Sequence, residues 1–405
     1  MERKKIIGEE FNLTEKKIAN TSEVSNEEIN EKYLKGEIRI VTEQARYHLY
    51  TIPDMLKSGK FDLNPEYQRR KRWNNIQKSK LIESFIINVP IPPIFLYEEK
   101  FAEYEVMDGL QRLTAIGDFY DNSFKLEGLI EWSELNGKTY SLLPDDIKKG
   151  IDRRYLSSII LLNETAKTKI EAEYLKQIVF ERLNSGGDKL VPQETRNALY
   201  GGKFNSLCIR LSENELFRIM FQLPLIKKEN NYILNEFELL EDEAYRKMLD
   251  VELVLRFFAY RHIDKMSGFT QEKFLDEFLI QANKFSDEVM IEYEKIFLET
   301  IEIVYSLYGE KAFYMPTMGT QNKSKPTKTV YDSLMQVISS KIDIKEKILV
   351  KKKEINEITY KDKSKLYIVG KTKNDELFDG KYNSPNNVRS RINYFNDLID
   401  AVVNS

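Results

Sequence analysis

The sequence predicts an α+β N-terminal domain followed by a mostly α-helical second half. Three observations carry that prediction. Between residues 38 and 205, short apolar runs of strand type alternate with segments of helical period. From about residue 205 onward the apolar spacing is helical. The chain also has only 17 Gly and 11 Pro in 405 residues, too little turn material for a many-stranded all-β fold. Its length exceeds one small core, so several domains are expected. The sequence divides into a polar arm (1–37), a mixed domain (38–205), a helical domain (206–320) and a basic helical region (321–405).

Each element has its own signal. Ile38-Arg39-Ile40-Val41 alternates as a strand does and opens the regular structure. Residues 52–56 form a short helix closed by Gly59. A longer helix follows Trp73, with Asn74 as N-cap and Leu81, Ile82, Phe85 and Ile86 on one face, and Pro90 stops it. Proline removes ladder donors, so Ile91-Pro92-Pro93 is an extended edge ahead of the strand Ile94-Phe95-Leu96-Tyr97. Tyr104-Glu105-Val106-Met107 is the next strand. Asp108-Gly109 turns it into a helix bearing Leu113, Ile116 and Phe119. A further strand at 158–162 leads to a helix at about 169–183 and then to Asn184-Ser185-Gly186-Gly187. Beyond it, Leu249, Leu253, Arg256 and Phe257 lie along one helix, and residues 323–328 read as a loop. Ser384-Pro385 opens a terminal helix that runs through Val388 to Val402.

Composition narrows the function classes. Apolar residues make up 41% of the chain, with 22 Phe and 23 Tyr, so sizeable cores form and global disorder is excluded. A net charge of −3 excludes a uniformly basic nucleic-acid coat. Locally, however, residues 341–373 hold 11 Lys against 5 Asp and Glu. The single cysteine, Cys208, rules out an internal disulfide, and between Leu207 and Ile209 it reads as a buried hydrophobe. Two histidines, His48 and His262, are too few for a His-rich zinc site, a His-Asn-His nuclease or a Cys/His protease. Met1-Glu2-Arg3-Lys4-Lys5 leads into no apolar stretch, and nowhere do 18 apolar residues run together. A cytoplasmic chain without a membrane partner is therefore expected.

Four constellations could carry chemistry. At Asp108-Gly109-Leu110-Gln111-Arg112, a strand-to-helix glycine permits close backbone approach, and the new helix offers unpaired N–H groups to an anion. Arg112 adds donors suited to phosphate, Asp108 can hold Mg²⁺, and Gln111 can place a water or a phosphate oxygen. Alone, the pentapeptide is more often an ordinary turn with a surface arginine. Tyr67-Gln68-Arg69-Arg70-Lys71-Arg72-Trp73 is a basic run bracketed by aromatics, either a polyanion contact or a solvated face. Arg182 and Asn184, beside the Gly186-Gly187 pair, form either a second wall for a nucleotide or a plain helix C-cap. Arg246/Asp250 and Glu252/Arg256 read as two i,i+4 salt bridges of one helix.

In order, these blocks resemble the GmrSD N-terminal-like family of the ParB/sulfiredoxin-like superfamily. The resemblance rests on Pro65-Glu66-Tyr67-Gln68-Arg69 with Trp73, Leu81-Ile82-Glu83-Ser84, Pro90-Ile91-Pro92-Pro93, and Asp108-Gly109-Leu110-Gln111-Arg112-Leu113-Thr114. The 182–187 block and residues 194–197 extend it. It covers residues 38–205 well and the helical region to about 260 loosely. It implies an NTP-binding component, possessing or lacking hydrolysis, of a bacterial anti-phage or modification-dependent restriction system. In that reading Mg²⁺ accompanies the NTP at Asp108, and Asp108, Gln111 and Arg112 are the catalytic set. Tyr67, Gln68, Arg69, Gly109, Arg182 and Asn184 complete the nucleotide contacts. DNA is met directly, through Arg70, Arg72, Lys351, Lys352 and Lys353, or through a partner nuclease. The family pattern is Asp-Gly-Gln-Gln-Arg, and Leu110 replaces its first Gln, which places hydrolysis in question more than binding. The competing expectation is a non-enzymatic DNA-binding or adaptor protein with a vestigial pocket.

Overall fold

The computed structural model describes residues 6–13, 25–35, 40–63, 73–162, 168–183, 191–230, 232–314, 325–361, 378 and 384–405. Two compact units divide the chain: Lys16–Leu190, and Met1–Glu15 together with Val191–Ser405. The expected class holds, a mixed α+β unit and a helical unit.

The mixed unit contains a five-stranded sheet: β1 (Thr42–His48), β2 (Phe61–Asp62), β3 (Ile94–Lys100), β4 (Glu103–Asp108) and β5 (Tyr155–Leu161), in the order β1-β5-β3-β4-β2. β1 pairs antiparallel with β5, β5 parallel with β3, β3 antiparallel with β4, and β4 parallel with β2. Its helices are α1 (Asn26–Lys35), α2 (Ile52–Lys57), α3 (Asn75–Ile86), α4 (Leu110–Tyr120), α5 (Asp145–Asp152) and α6 (Lys169–Leu183). Ile38 and Arg39 lie outside the described residues, and β1 is instead the polar stretch 42–48, held by pairing with β5 along its whole length.

Local signals elsewhere act as read. Asn74 caps α3 through a reciprocal capping box with Gln77, and Gly59 after α2 takes φ +74°. Leu113, Ile116 and Phe119 are fully buried in the core beside Ile82, Ile94 and Leu96. Buried Glu83 accepts three backbone N–H bonds on one carboxylate oxygen, from Ile130 (3.1 Å), Glu131 (2.9 Å) and Trp132 (3.0 Å). One charged acceptor thereby satisfies three donors of the loop that follows α4.

In the helical unit the elements of eight or more residues are α7 (Pro192–Leu199), α8 (Lys203–Leu211), α9 (Leu249–Ala259), α10 (Gln271–Ala282), α11 (Asp287–Tyr308), α12 (Lys328–Ser339), α13 (Lys352–Lys361) and α14 (Pro385–Val403). Ser384 caps α14, its side chain accepting from Asn387 N–H. Residues on both sides of 320 fall in the one compact unit that holds Val191–Ser405. Residues 329–339 of α12 are all buried, and Leu334, Val337 and Ile338 share a core with Phe257 and Val304. Residues 1–37 are not wholly a polar arm, because Phe11 belongs to that same core. Cys208 is buried, and that burial pushes its thiol well above the usual range.

The pairing expected of Arg246 and Asp250 does not form. Met248 takes a left-handed conformation (φ 53°) and separates Arg246, in the short helix Glu243–Arg246, from α9. Asp250 pairs instead with Arg218, 3.0 Å away, and both side chains are fully buried. Arg256 does approach Glu252, at 3.8 Å, but its close partner is Asp332, which takes bonds from both Nε and Nη2.

Candidate functional site

Asp108 ends β4 and Gly109 caps α4. The ladder slips one residue just before them, since Phe95 faces Asp108 while Leu96 faces Val106. This bulge buries Val106 and Met107 in succession and leaves the Asp108 side chain 51% exposed. A bulge re-aims the side chain that follows it. Gly109 has φ +100°, and a Cβ there would stand 2.2 Å from Ile94 Cγ2. Only glycine lets the chain turn this closely over β3.

Arg112 turns back toward the strand end. Its Nη2 donates to Asp108 Oδ2 at 2.5 Å, and its Nη1 donates to the carbonyl of Pro92 and, at 3.2 Å, to that of Pro93. Only 13% of the side chain is exposed. Three of the five guanidinium donors are thus engaged, and they fix the proline edge, the strand end and the helix start together. Gln111 accepts on Oε1 from the backbone N–H of Trp73 at 3.0 Å. That bond joins the residue closing the basic-aromatic run to the Asp108–Arg112 turn. Leu110, where the family pattern has Gln, is 9% exposed and lies in the core.

Glycine brings no side-chain acceptor to the N-cap of α4, so the first-turn N–H groups lack that partner. Together with Asp108 they make a corner with an anion-favouring helix start and one half-exposed carboxylate. Among the described residues no cluster of three or more His, Cys, Asp or Glu could cage a metal. One carboxylate is nonetheless what a Mg²⁺ ion carried on nucleotide phosphates requires.

Tyr67, Gln68, Arg69, Arg70, Arg72 and Asn184 lie outside the described residues. Arg182 is exposed in the last turn of α6, a helix that reaches β4 through the Lys176–Glu105 pair at 2.5 Å. Lys351, Lys352 and Lys353 belong to the helical unit, at the start of α13. Residues 194–197, which extend the resemblance, are structural there. Arg196 is buried and bonded to Asp276 (2.7 Å) and Glu252 (3.2 Å), and Glu194 caps the backbone of Val191. Sequence reasoning missed the carbonyls of Pro92 and Pro93 and the Trp73–Gln111 bond. The Pro-Pro pair ahead of β3 was their one visible trace.

No curated protein and no solved structure matches the chain. No described helix is long and apolar enough to cross a membrane. Residues 52–201 match the family described as GmrSD restriction endonuclease, N-terminal domain, and this stretch of the chain belongs to that family.

Proposed function

We propose that the mixed unit binds a nucleoside triphosphate at the corner formed by Asp108, Gly109 and the start of α4, as a component of a DNA-directed restriction or defence system. The observation that carries the reading is the Trp73–Gln111 bond, which joins two of the sequence blocks at one corner. In this assignment the phosphates meet the α4 N-terminus, Arg112 stabilises the turn and offers its remaining donors, and Asp108 takes Mg²⁺ with the nucleotide. Mg²⁺ would supply charge neutralisation on the phosphates. Tyr67, Gln68, Arg69, Arg182 and Asn184 are assigned the remaining contacts by family resemblance, and the ParB/sulfiredoxin-like relationship belongs to the same proposal. A cytoplasmic location is likewise part of it.

Leu110 favours a second reading, in which the nucleotide is bound without turnover. Its side chain is spent on the core, so that position presents no amide. Thermal melts and phosphate release, run on one preparation, separate the readings. Each NTP with millimolar Mg²⁺ is added to wild-type protein and to Asp108→Asn. At 100 times its Kd a ligand adds about 2.7 kcal/mol, so a clear upward shift is expected for wild type. The variant should lose it while melting close to wild type without ligand. No shift with any NTP would sink the pocket. A shift without phosphate release establishes binding alone.

A further inference from the structure

Residues 6–13 form no helix and no strand, yet the helical unit holds them by both side chain and main chain. Phe11 is fully buried, its ring centroid 5.4 Å from His262, 5.6 Å from Phe274 and 5.4 Å from Phe278. Glu9 Oε2 accepts from Arg261 Nη2 at 3.0 Å, and its Oε1 lies 3.1 Å from His262 Nε2. Gln281 clamps the backbone of Asn12 from both sides, donating to its carbonyl at 2.9 Å and accepting from its N–H at 3.0 Å. Lys265 Nζ donates to the Phe11 carbonyl. Gly8 takes φ +92°, and a Cβ there would lie 3.2 Å from Val289 Cγ2 on α11.

These ties reach across some 250 residues of sequence, while the backbone bond from Glu9 N–H to the Ile6 carbonyl stays within the segment. The pocket walls have other support. Phe274 packs on Tyr260, and Phe278 packs on Phe204 and Phe285. Main-chain clamps combined with side-chain pockets two residues apart are how grooves recognise extended peptides.

We propose that residues 6–13 are a docked peptide, and that the groove they fill is a peptide-binding site selective for a glutamate two residues ahead of a buried phenylalanine. The occupant is the chain's own N-terminal segment. In sequence, residues 16–190 lie between it and the rest of the helical unit. A competing Glu-x-Phe peptide would release the segment. The inference is independent of the nucleotide reading.

The test uses the full chain with a specific protease site inserted between residues 18 and 19. After cutting, a fluorescent peptide of residues 1–15 is added, with anisotropy reporting binding and far-ultraviolet circular dichroism reporting fold. The cut protein should keep its helical signal and take up the peptide. The uncut protein should resist, because its own segment competes at high effective concentration. A Phe11→Ala peptide should bind at least about a hundredfold more weakly, and Glu9→Gln about tenfold, given what buried aromatic and charged anchors contribute. Unfolding on cutting would make the segment an integral core element and overturn the proposal. So would failure of a folded, cut protein to exchange peptide, or equal binding of the Phe11→Ala peptide.

Discussion

Gly109 meets a demand set by its neighbours, Ile94 behind it and a left-handed turn at its own α-carbon. Left-handed backbone costs a non-glycine residue about 1–2 kcal/mol, and crowding a filled core adds about 1–3 kcal/mol. Gly109→Ala should therefore lower unfolding stability by about 3 kcal/mol, read from the urea midpoint of the mixed unit. A loss below about 0.5 kcal/mol would mean that Ile94 yields freely. This demand was legible in the sequence, because a glycine between an apolar strand and an apolar helix has few other uses. The role of Arg112 was less so. It reads as a phosphate donor, yet its nearest acceptors are two proline carbonyls some twenty residues earlier and its own Asp108. Carbonyl direction is a property of the folded chain that no residue type announces. Phe11 was hidden for a related reason. An aromatic that follows two glutamates looks exposed until its pocket, built some 250 residues later, is known.

Among the elements, capped helix starts such as those at Asn74 and Ser384 were the most readable. The helix at 169–183 has the expected bounds, and the start at Ser384-Pro385 falls where capping puts it. The continuous helix implied for Arg246 and Asp250 failed because one residue, Met248, leaves helical geometry. A buried Arg218 then offered Asp250 a better partner than an exposed arginine could. The basic start of α13 remains a candidate DNA surface, and the structure sharpens its test. Lys351 Nζ lies 3.2 Å from both carboxylate oxygens of Glu354, whereas Lys352 and Lys353 are exposed. Each phosphate neutralised contributes about −0.9 to the slope of log K against log salt on duplex DNA. Replacing Lys351, Lys352 and Lys353 with Gln should flatten the slope by about 2, the share of the two uncommitted lysines. An unchanged slope would leave them as a solvated face and send the search for DNA contacts elsewhere.

Among the described residues, two clusters of buried apolar residues form without a shared member. One draws on residues 49–160, the other on Phe11 and residues 204–402. Separate cores of this size unfold as separate cooperative units unless something couples them. Calorimetry of the full chain should therefore resolve two transitions, and two perturbations should sort them. Mg²⁺ with a bound NTP stabilises only the unit that holds the nucleotide, so it should raise one transition and leave the other in place. Phe11→Ala removes a fully buried aromatic from the helical unit, a change that costs about 3–5 kcal/mol in a core. That loss should lower the other transition and leave the nucleotide response intact. If both perturbations moved one common transition, the two cores would be a single folding unit. Nucleotide binding would then stabilise the docked N-terminal segment as well, and the labelled peptide should enter the cut protein less readily once NTP is present.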